Sequence, residues 1–137
     1  MEDGGVENGV LEFGDPSRYT CPECHGVLMQ IKEGNHVRFR CHTGHAYSLD
    51  ALLADLTKSI QDALWNTLRA IQESELLLKH LSEHLRSAGD VEAAEKCLTK
   101  MIATSRRADI VRQAAMEAEV LSVDRLDIEN YANRNTE

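Results

Sequence analysis

Four residues with metal-binding side chains occur as two closely spaced pairs in the first third of the chain. Cys21 and Cys24 enclose Pro-Glu, and Cys41 is followed by His45 after the run His-Thr-Gly. Three thiolates and one imidazole are a ligand set that tetrahedral structural zinc sites use. We expect a cytoplasmic protein, whose thiols stay reduced, so the pattern favours a metal over disulfides. The spacing therefore predicts a zinc ion held by Cys21, Cys24, Cys41 and His45.

Several histidines lie near the cysteines and are candidates for the fourth ligand of the metal. His42 directly follows Cys41, and adjacent residues of an extended chain point to opposite faces. His45 lies one turn further on, after a glycine that permits the chain to fold back. The sequence thus favours His45 over His42. Two other histidines are expected to face solvent: His25 and His36.

The segment between the two ligand pairs is typical of a β-hairpin. Residues 27–32 and 36–40 have the composition of two strands, and they flank the turn sequence Glu-Gly-Asn at 33–35. Such a hairpin would return Cys41 to the first two cysteines. Gly26 is expected to let the turn around those cysteines close without steric strain.

The predicted hairpin module is too small to fold without additional stabilisation. About 30 residues bury too little apolar surface to offset the loss of chain entropy. Zinc can supply roughly 10–16 kcal/mol of apparent free energy to a module of this kind. We therefore predict that the module unfolds without its metal.

A different pattern begins at Ser48, a candidate helix N-cap. Apolar residues recur there at steps of three and four, and no Pro or Gly occurs between Ser48 and Ala88. This predicts a helix of about 38 residues, roughly 57 Å long. Gly89 would end it and Asp90 would cap a second helix of about 30 residues, which returns antiparallel.

The fold class that follows is α+β, mostly α: a small zinc-ribbon β-hairpin followed by a long antiparallel helical hairpin. The predicted division is a flexible N-terminal arm (1–18), the zinc-ribbon-like hairpin (19–47), the helical hairpin (48–122) and a polar C-terminal tail (123–137). Within the arm, Val10, Leu11 and Phe13 are candidates for docking on the hairpin.

Two amphipathic helices leave part of their apolar surface uncovered. Apolar residues also lie off the main seam: Trp65, Leu76, Leu77, Ile110 and Met116. A homodimer that forms a four-helix bundle is the simplest way to bury them. We therefore expect a homodimer through the helices, and a protein partner whose identity the sequence does not give.

Composition and motifs argue against several classes of function. The net charge of -8 disfavours an extended nucleic-acid surface, and no apolar run is long enough to span a membrane. Four protein ligands would leave the metal no open position for water, and no phosphate loop or nucleophile motif occurs. We expect no enzyme activity. The alternative function is a nucleic-acid-binding zinc-ribbon regulator that uses a face of Lys32, Arg38, Phe39 and Arg40.

Three runs of sequence carry a resemblance to a known family: residues 19–28, residues 38–48 (Arg-Phe-Arg-Cys-His-Thr-Gly-His-Ala-Tyr-Ser) and residues 63–70. They resemble the C-terminal extension of some bacterial chemotaxis-type protein-glutamate methylesterases, over roughly residues 16–120. The final histidine of that family pattern matches His45. The catalytic domain with its serine nucleophile and the receiver domain are not in this sequence. The resemblance therefore implies a stand-alone accessory module in bacterial signalling, without methylesterase activity.

Overall fold

A computed structural model describes residues 14–128 of the chain. Its elements are β1 (Asp15–Thr20), β2 (Val27–Glu33), β3 (His36–Arg40), β4 (Ala46–Ser48), α1 (Leu49–Ser87) and α2 (Val91–Glu117). The predicted class, α+β and mostly α, is confirmed. The described residues form two compact units: a sheet unit of residues 14–59 with 120–128, and a helical unit of residues 60–119.

The sheet unit contains one antiparallel sheet with strand order β1-β2-β3-β4. The predicted hairpin is present as β2 and β3, which pair from Met29↔Arg40 to Glu33↔His36. Strand β1 was not foreseen, because the sequence placed residues 15–18 in the N-terminal arm. Pro16 lies in this strand opposite Met29, at the edge of the sheet, where the missing N–H of a proline is tolerated.

The core of the sheet unit is small and includes two of the cysteines. Its buried side chains are Cys21, Leu28, Phe39, Cys41, Tyr47 and Leu52. The ring of Tyr19 packs edge-on against Phe39, with the ring centroids 5.4 Å apart. Leu52 belongs to α1, so the first turns of that helix complete the core of the sheet unit. The sequence analysis had placed the end of this unit at residue 47.

The segment that follows α2 is tied to the start of α1 within the same unit. The N–H of Leu121 donates to Thr57 Oγ1 at 2.9 Å, and the N–H of Val123 donates to Asp50 Oδ1 at 2.6 Å. The backbone of Val123 is therefore hydrogen-bonded to the first turn of α1. The sequence analysis had placed this residue at the start of a polar tail. The candidate docking residues Val10, Leu11 and Phe13 lie outside the described residues.

The helical unit consists of the rest of α1 and all of α2, which run antiparallel. On α2 the fully buried positions are alanines: Ala94, Ala108 and Ala115. They are separated by seven residues or a multiple of seven, which keeps one face of α2 toward α1. Near the turn between the helices, Ser82 Oγ donates to the backbone oxygen of Ala94 at 3.0 Å, a contact that a bulky residue at the seam would prevent.

Candidate metal centre

Each of the two ligand pairs lies on a tight turn. In the first, the N–H of Cys21 donates to the oxygen of Gly26 at 2.7 Å, and the N–H of His25 donates to the oxygen of Cys21 at 2.9 Å. In the second, the N–H of Cys41 donates to the oxygen of His45 at 3.0 Å. The first turn joins β1 to β2 and the second joins β3 to β4, so the pairing of β2 with β3 brings the turns together.

Glycine suits both turns, but for different reasons. Gly44 has a φ of 96°, a conformation that L side chains rarely adopt. At Gly26 the reason is space, because a Cβ there would lie 2.8 Å from Nδ1 of the His42 ring, which would have to turn aside. The positive φ in the first turn belongs instead to His25, at 61°. Gly26 therefore avoids steric strain in this turn by leaving room for the His42 imidazole, and not through a positive φ of its own.

The structure brings the four predicted ligand residues together. The sulfurs of Cys21, Cys24 and Cys41 and a ring nitrogen of His45 all lie within 4.8 Å of one another. His45 Nδ1 is 3.3 Å from Cys41 Sγ and 3.5 Å from Cys21 Sγ. In a tetrahedral zinc site the ligand bond lengths require sulfur–nitrogen separations of about 3.5 Å. The donor set and its spacing therefore fit a metal ion.

The competing histidine is directed elsewhere. The His42 ring lies against Gly26, and the cluster among residues 14–128 that could hold a metal contains His45 and not His42. The other two histidines, His25 and His36, also lie outside this cluster.

Hydrogen bonds stabilise the ionised form of the buried Cys41 thiol. Burial opposes ionisation of this thiol, but Thr43 Oγ1 at 3.0 Å and the N–H of His45 at 3.3 Å hydrogen-bond to the sulfur and favour the thiolate. The net result lowers the pKa of Cys41 to about 5. At neutral pH this sulfur is a thiolate, which is the form that binds metals.

Two hydroxyl groups near the sulfurs were not identified from the sequence. Thr43 Oγ1 lies 3.5 Å from Cys24 Sγ as well as 3.0 Å from Cys41 Sγ, so one hydroxyl, with a single hydrogen to donate, contacts two of the three sulfurs. Tyr47 Oη lies 3.5 Å from Cys21 Sγ, and burial together with this contact raises the pKa of the phenol. Tyr47 therefore stays protonated beside the Cys21 sulfur. The contact of Thr43 could have been anticipated from the sequence, because Thr43 lies only two residues after Cys41 and threonine hydroxyls commonly form hydrogen bonds to groups a few residues away.

His45 is also contacted on the side away from the sulfurs. Its Nε2 lies 3.0 Å from Glu23 Oε2, in the first turn. The hydrogen bond to Cys41 raises the pKa of His45, burial opposes that rise, and Cys21 and the charge of Glu23 add to it. The imidazole is therefore held by sulfur atoms at one nitrogen and by a carboxylate at the other.

The face predicted for nucleic-acid binding is not a single face. Phe39 is buried in the core of the sheet unit and cannot stack on a base. Lys32 pairs with Val37, two residues before Phe39, and so points to the same side of the sheet as Phe39. Arg38 and Arg40 alternate with these residues and lie on the opposite side. The four residues therefore do not form the face that the alternative function needs, because alternate residues of a strand point to opposite sides of the sheet.

No protein-family model, curated protein or solved structure matches this chain. The resemblance to the methylesterase extension accordingly stays a prediction. No helix among residues 14–128 has the length and apolar content that crossing a membrane requires. The class that fold and site define is a four-stranded antiparallel sheet with a Cys3His cluster, joined to a two-helix hairpin.

Proposed function

We propose that this protein is a non-catalytic zinc-binding accessory module that acts by binding protein chains, in bacterial chemotaxis-like or two-component signalling. The observation that carries the proposal is the cluster of Cys21, Cys24, Cys41 and His45, whose ligand atoms lie within 4.8 Å of one another. A site with four protein ligands gives the metal a structural role. Free cysteines at the cluster support a reducing compartment, and the cytoplasm is the proposed location.

Zinc is the proposed metal because of the ligand chemistry. Thiolate ligands exclude hard cations such as Mg²⁺ and Ca²⁺, and a tetrahedral mixture of sulfur and imidazole nitrogen suits Zn²⁺. Elemental analysis of the purified chain should find about one zinc per chain. A content below about half would contradict the site, because a closed structural site is filled at neutral pH.

The absence of catalysis is proposed from the coordination number. Substitution of zinc by Co²⁺ should give the visible spectrum of a tetrahedral thiolate complex, and added azide should leave that spectrum unchanged. A spectral change on adding azide would indicate an open coordination position, as in catalytic sites, and would contradict the proposal.

The helical unit is the proposed protein-binding surface, and a second copy of this chain is its proposed partner. A groove of about 600 Å³ runs between α1 and α2, and Leu76 and Ile102 line it from the two helices. These side chains are 60% and 53% exposed. Two more exposed apolar residues lie on the same side of the helices as the groove. On α1, Trp65 precedes the lining residues Gln72 and Lys79 by seven and fourteen residues. On α2, Met116 follows the lining residues Asp109 and Ile102 by the same intervals.

The charges that line the groove favour a second copy over a strongly charged partner. Glu75 and Asp109 are acidic, whereas Lys79 and Arg106 are basic, so the lining carries no net charge. The whole chain has a net charge of -8, so two copies repel each other least where the local charge is balanced. A twofold interface presents the same patch from both chains, and a patch with both signs is complementary to itself.

Sedimentation equilibrium at micromolar concentration tests this interface. The intact chain should be a dimer, and Leu76→Lys should make it a monomer, because the new charge would be buried in the apolar contact. Leu77→Lys is the matched control. The sequence grouped Leu77 with Leu76 on one contact face, but Leu77 is 67% exposed and does not line the groove. A monomeric intact chain, or equal effects of both substitutions, would contradict the proposed dimer.

The assignment to signalling rests on the resemblance to the methylesterase extension. The genes beside this one provide the test: sensor-kinase or chemotaxis-receptor genes support it. Neighbouring genes for transcription or DNA repair would favour the alternative function, nucleic-acid binding. Since Phe39 is buried and Lys32 lies on the other side of the sheet from Arg38, the structure offers that alternative little surface.

A further inference from the structure

One acidic side chain in the first turn reaches the ligand of the second turn. Glu23 lies between Cys21 and Cys24, and its Oε2 is 3.0 Å from His45 Nε2. The other ring nitrogen of His45, Nδ1, faces the sulfurs of Cys41 and Cys21. The imidazole thus has a carboxylate on one side and the cluster on the other.

We propose that Glu23 is a positioning residue of the metal centre: its carboxylate accepts the hydrogen of His45 Nε2 and so keeps Nδ1 free for the metal. The proposal rests on the proposed zinc site and deepens it. Glu23 itself is not a metal ligand, since its carboxylate is on the far side of the imidazole and lies outside the cluster.

The chemistry of imidazole explains why such a partner matters. A neutral histidine carries one hydrogen on either Nδ1 or Nε2, and only the nitrogen without it can bind a metal. A carboxylate at Nε2 favours the tautomer in which Nε2 holds the hydrogen. It also makes the opposite nitrogen a stronger electron donor and fixes the plane of the ring.

The placement of Glu23 makes the contact cooperative with metal binding. Its backbone lies between two ligands of the first turn, while His45 belongs to the second turn. A metal that holds Cys21 and Cys24 therefore also holds the backbone of Glu23. The hydrogen bond to His45 then joins the two turns a second time, outside the coordination sphere.

Zinc affinity measured by chelator competition on the full chain tests the proposal. Glu23→Ala should weaken zinc binding by about tenfold or more, the range that such partners show in other metal sites. Glu23→Gln keeps the size and an accepting oxygen, so it should fall between Glu23→Ala and the intact chain. Glu33→Ala is the control, because Glu33 is exposed at the far end of β2 and is not in the cluster.

A second readout separates positioning from general stabilisation. Nitrogen NMR of the zinc-loaded chain should show His45 bound through Nδ1 with its hydrogen on Nε2, and that hydrogen should exchange faster with water in Glu23→Ala. Equal zinc affinity of Glu23→Ala and Glu33→Ala, or zinc bound through Nε2, would overturn the role of Glu23 while leaving the zinc site intact. An intact chain that binds no zinc would overturn the proposed function itself.

Discussion

The sheet unit and the helical unit bury very different side chains. Cys21 and Cys41 lie beside Leu28 and Phe39 in the core of the sheet unit, so two groups with metal-binding chemistry are also core residues. In the helical unit, by contrast, the fully buried residues of α2 are alanines. The first unit depends on bringing distant turns together, whereas the second depends on a local repeat that helical hydrogen bonds already support.

The sheet unit and the helical unit offset the loss of chain entropy on folding in different ways. A small sheet buries too little apolar surface to offset its chain entropy, and a metal held by the Cys3His cluster would supply the missing stabilisation. A long helical pair adds a small apolar contact at each turn and needs no such ligand. If the two units are stabilised in these different ways, a change in one unit should leave the stability of the other unaltered.

Removal of the metal should have the largest effect, and the effect should be confined to the sheet unit. The three cysteine sulfurs and the imidazole would lose the cation that joins the two turns, and the roughly 10–16 kcal/mol typical of structural zinc would be lost. Hydrogen exchange should then show loss of amide protection in β2 and β3, with protection retained across residues 60–117. Retained protection in β2 and β3 after chelation would show that the sheet unit folds without metal.

Substitution of His45 should have the next largest effect and separates the two candidate histidine ligands. His45→Ala removes a ligand, so it should lower zinc affinity by several orders of magnitude and destabilise the sheet unit. His42→Ala is the matched control, because the His42 ring packs on Gly26 and lies outside the cluster. If zinc is lost from His42→Ala and retained by His45→Ala, the ligand set is wrong.

An enlarged side chain at the alanine seam should affect the helical unit alone. Ala108 is 1% exposed on α2, so Ala108→Leu would force the helices apart at a cost of about 1–3 kcal/mol. Ala114→Leu is the control, since Ala114 is exposed on the same helix. Thermal unfolding followed by circular dichroism at the helical band should show a lower midpoint for the first variant only. Weaker zinc binding by Ala108→Leu would contradict the independence of the two units.

The parts of the fold that repeat along the chain were predictable from sequence. The first helix was expected after Ser48, and α1 begins at Leu49 with Ser48 Oγ accepting from the N–H of Ala51 at 3.1 Å. The proximity of the four candidate ligands was also predictable, because the spacing of Cys and His directly limits which side chains can meet. In each case the signal lies within a few neighbouring residues.

The parts that were not predictable depend on contacts between distant segments. Strand β1 has the composition of a linker, and its hydrogen bonds come from β2 rather than from any pattern of its own. The contacts of Tyr47 with Cys21 and of Glu23 with His45 likewise require the sheet to bring two turns together. The misplaced basic face followed from strand parity, since a shift of one residue reverses which side of a sheet a side chain faces.

The smallest expected effect concerns the junction between the helices and isolates local structure from packing. Asp90 Oδ1 accepts a hydrogen bond from the N–H of Ala93 at 3.0 Å, and the side chain caps α2. Asp90→Ala should cost about 1 kcal/mol, whereas Asp90→Asn, which keeps a capping oxygen, should cost a few tenths at most. Chemical denaturation of the two variants measures the difference. An equal loss in both would mean that the charge of Asp90 at the helix N-terminus, rather than its hydrogen bond, stabilises α2. In either case zinc affinity should not change, because the cap lies in the helical unit and no cluster ligand does.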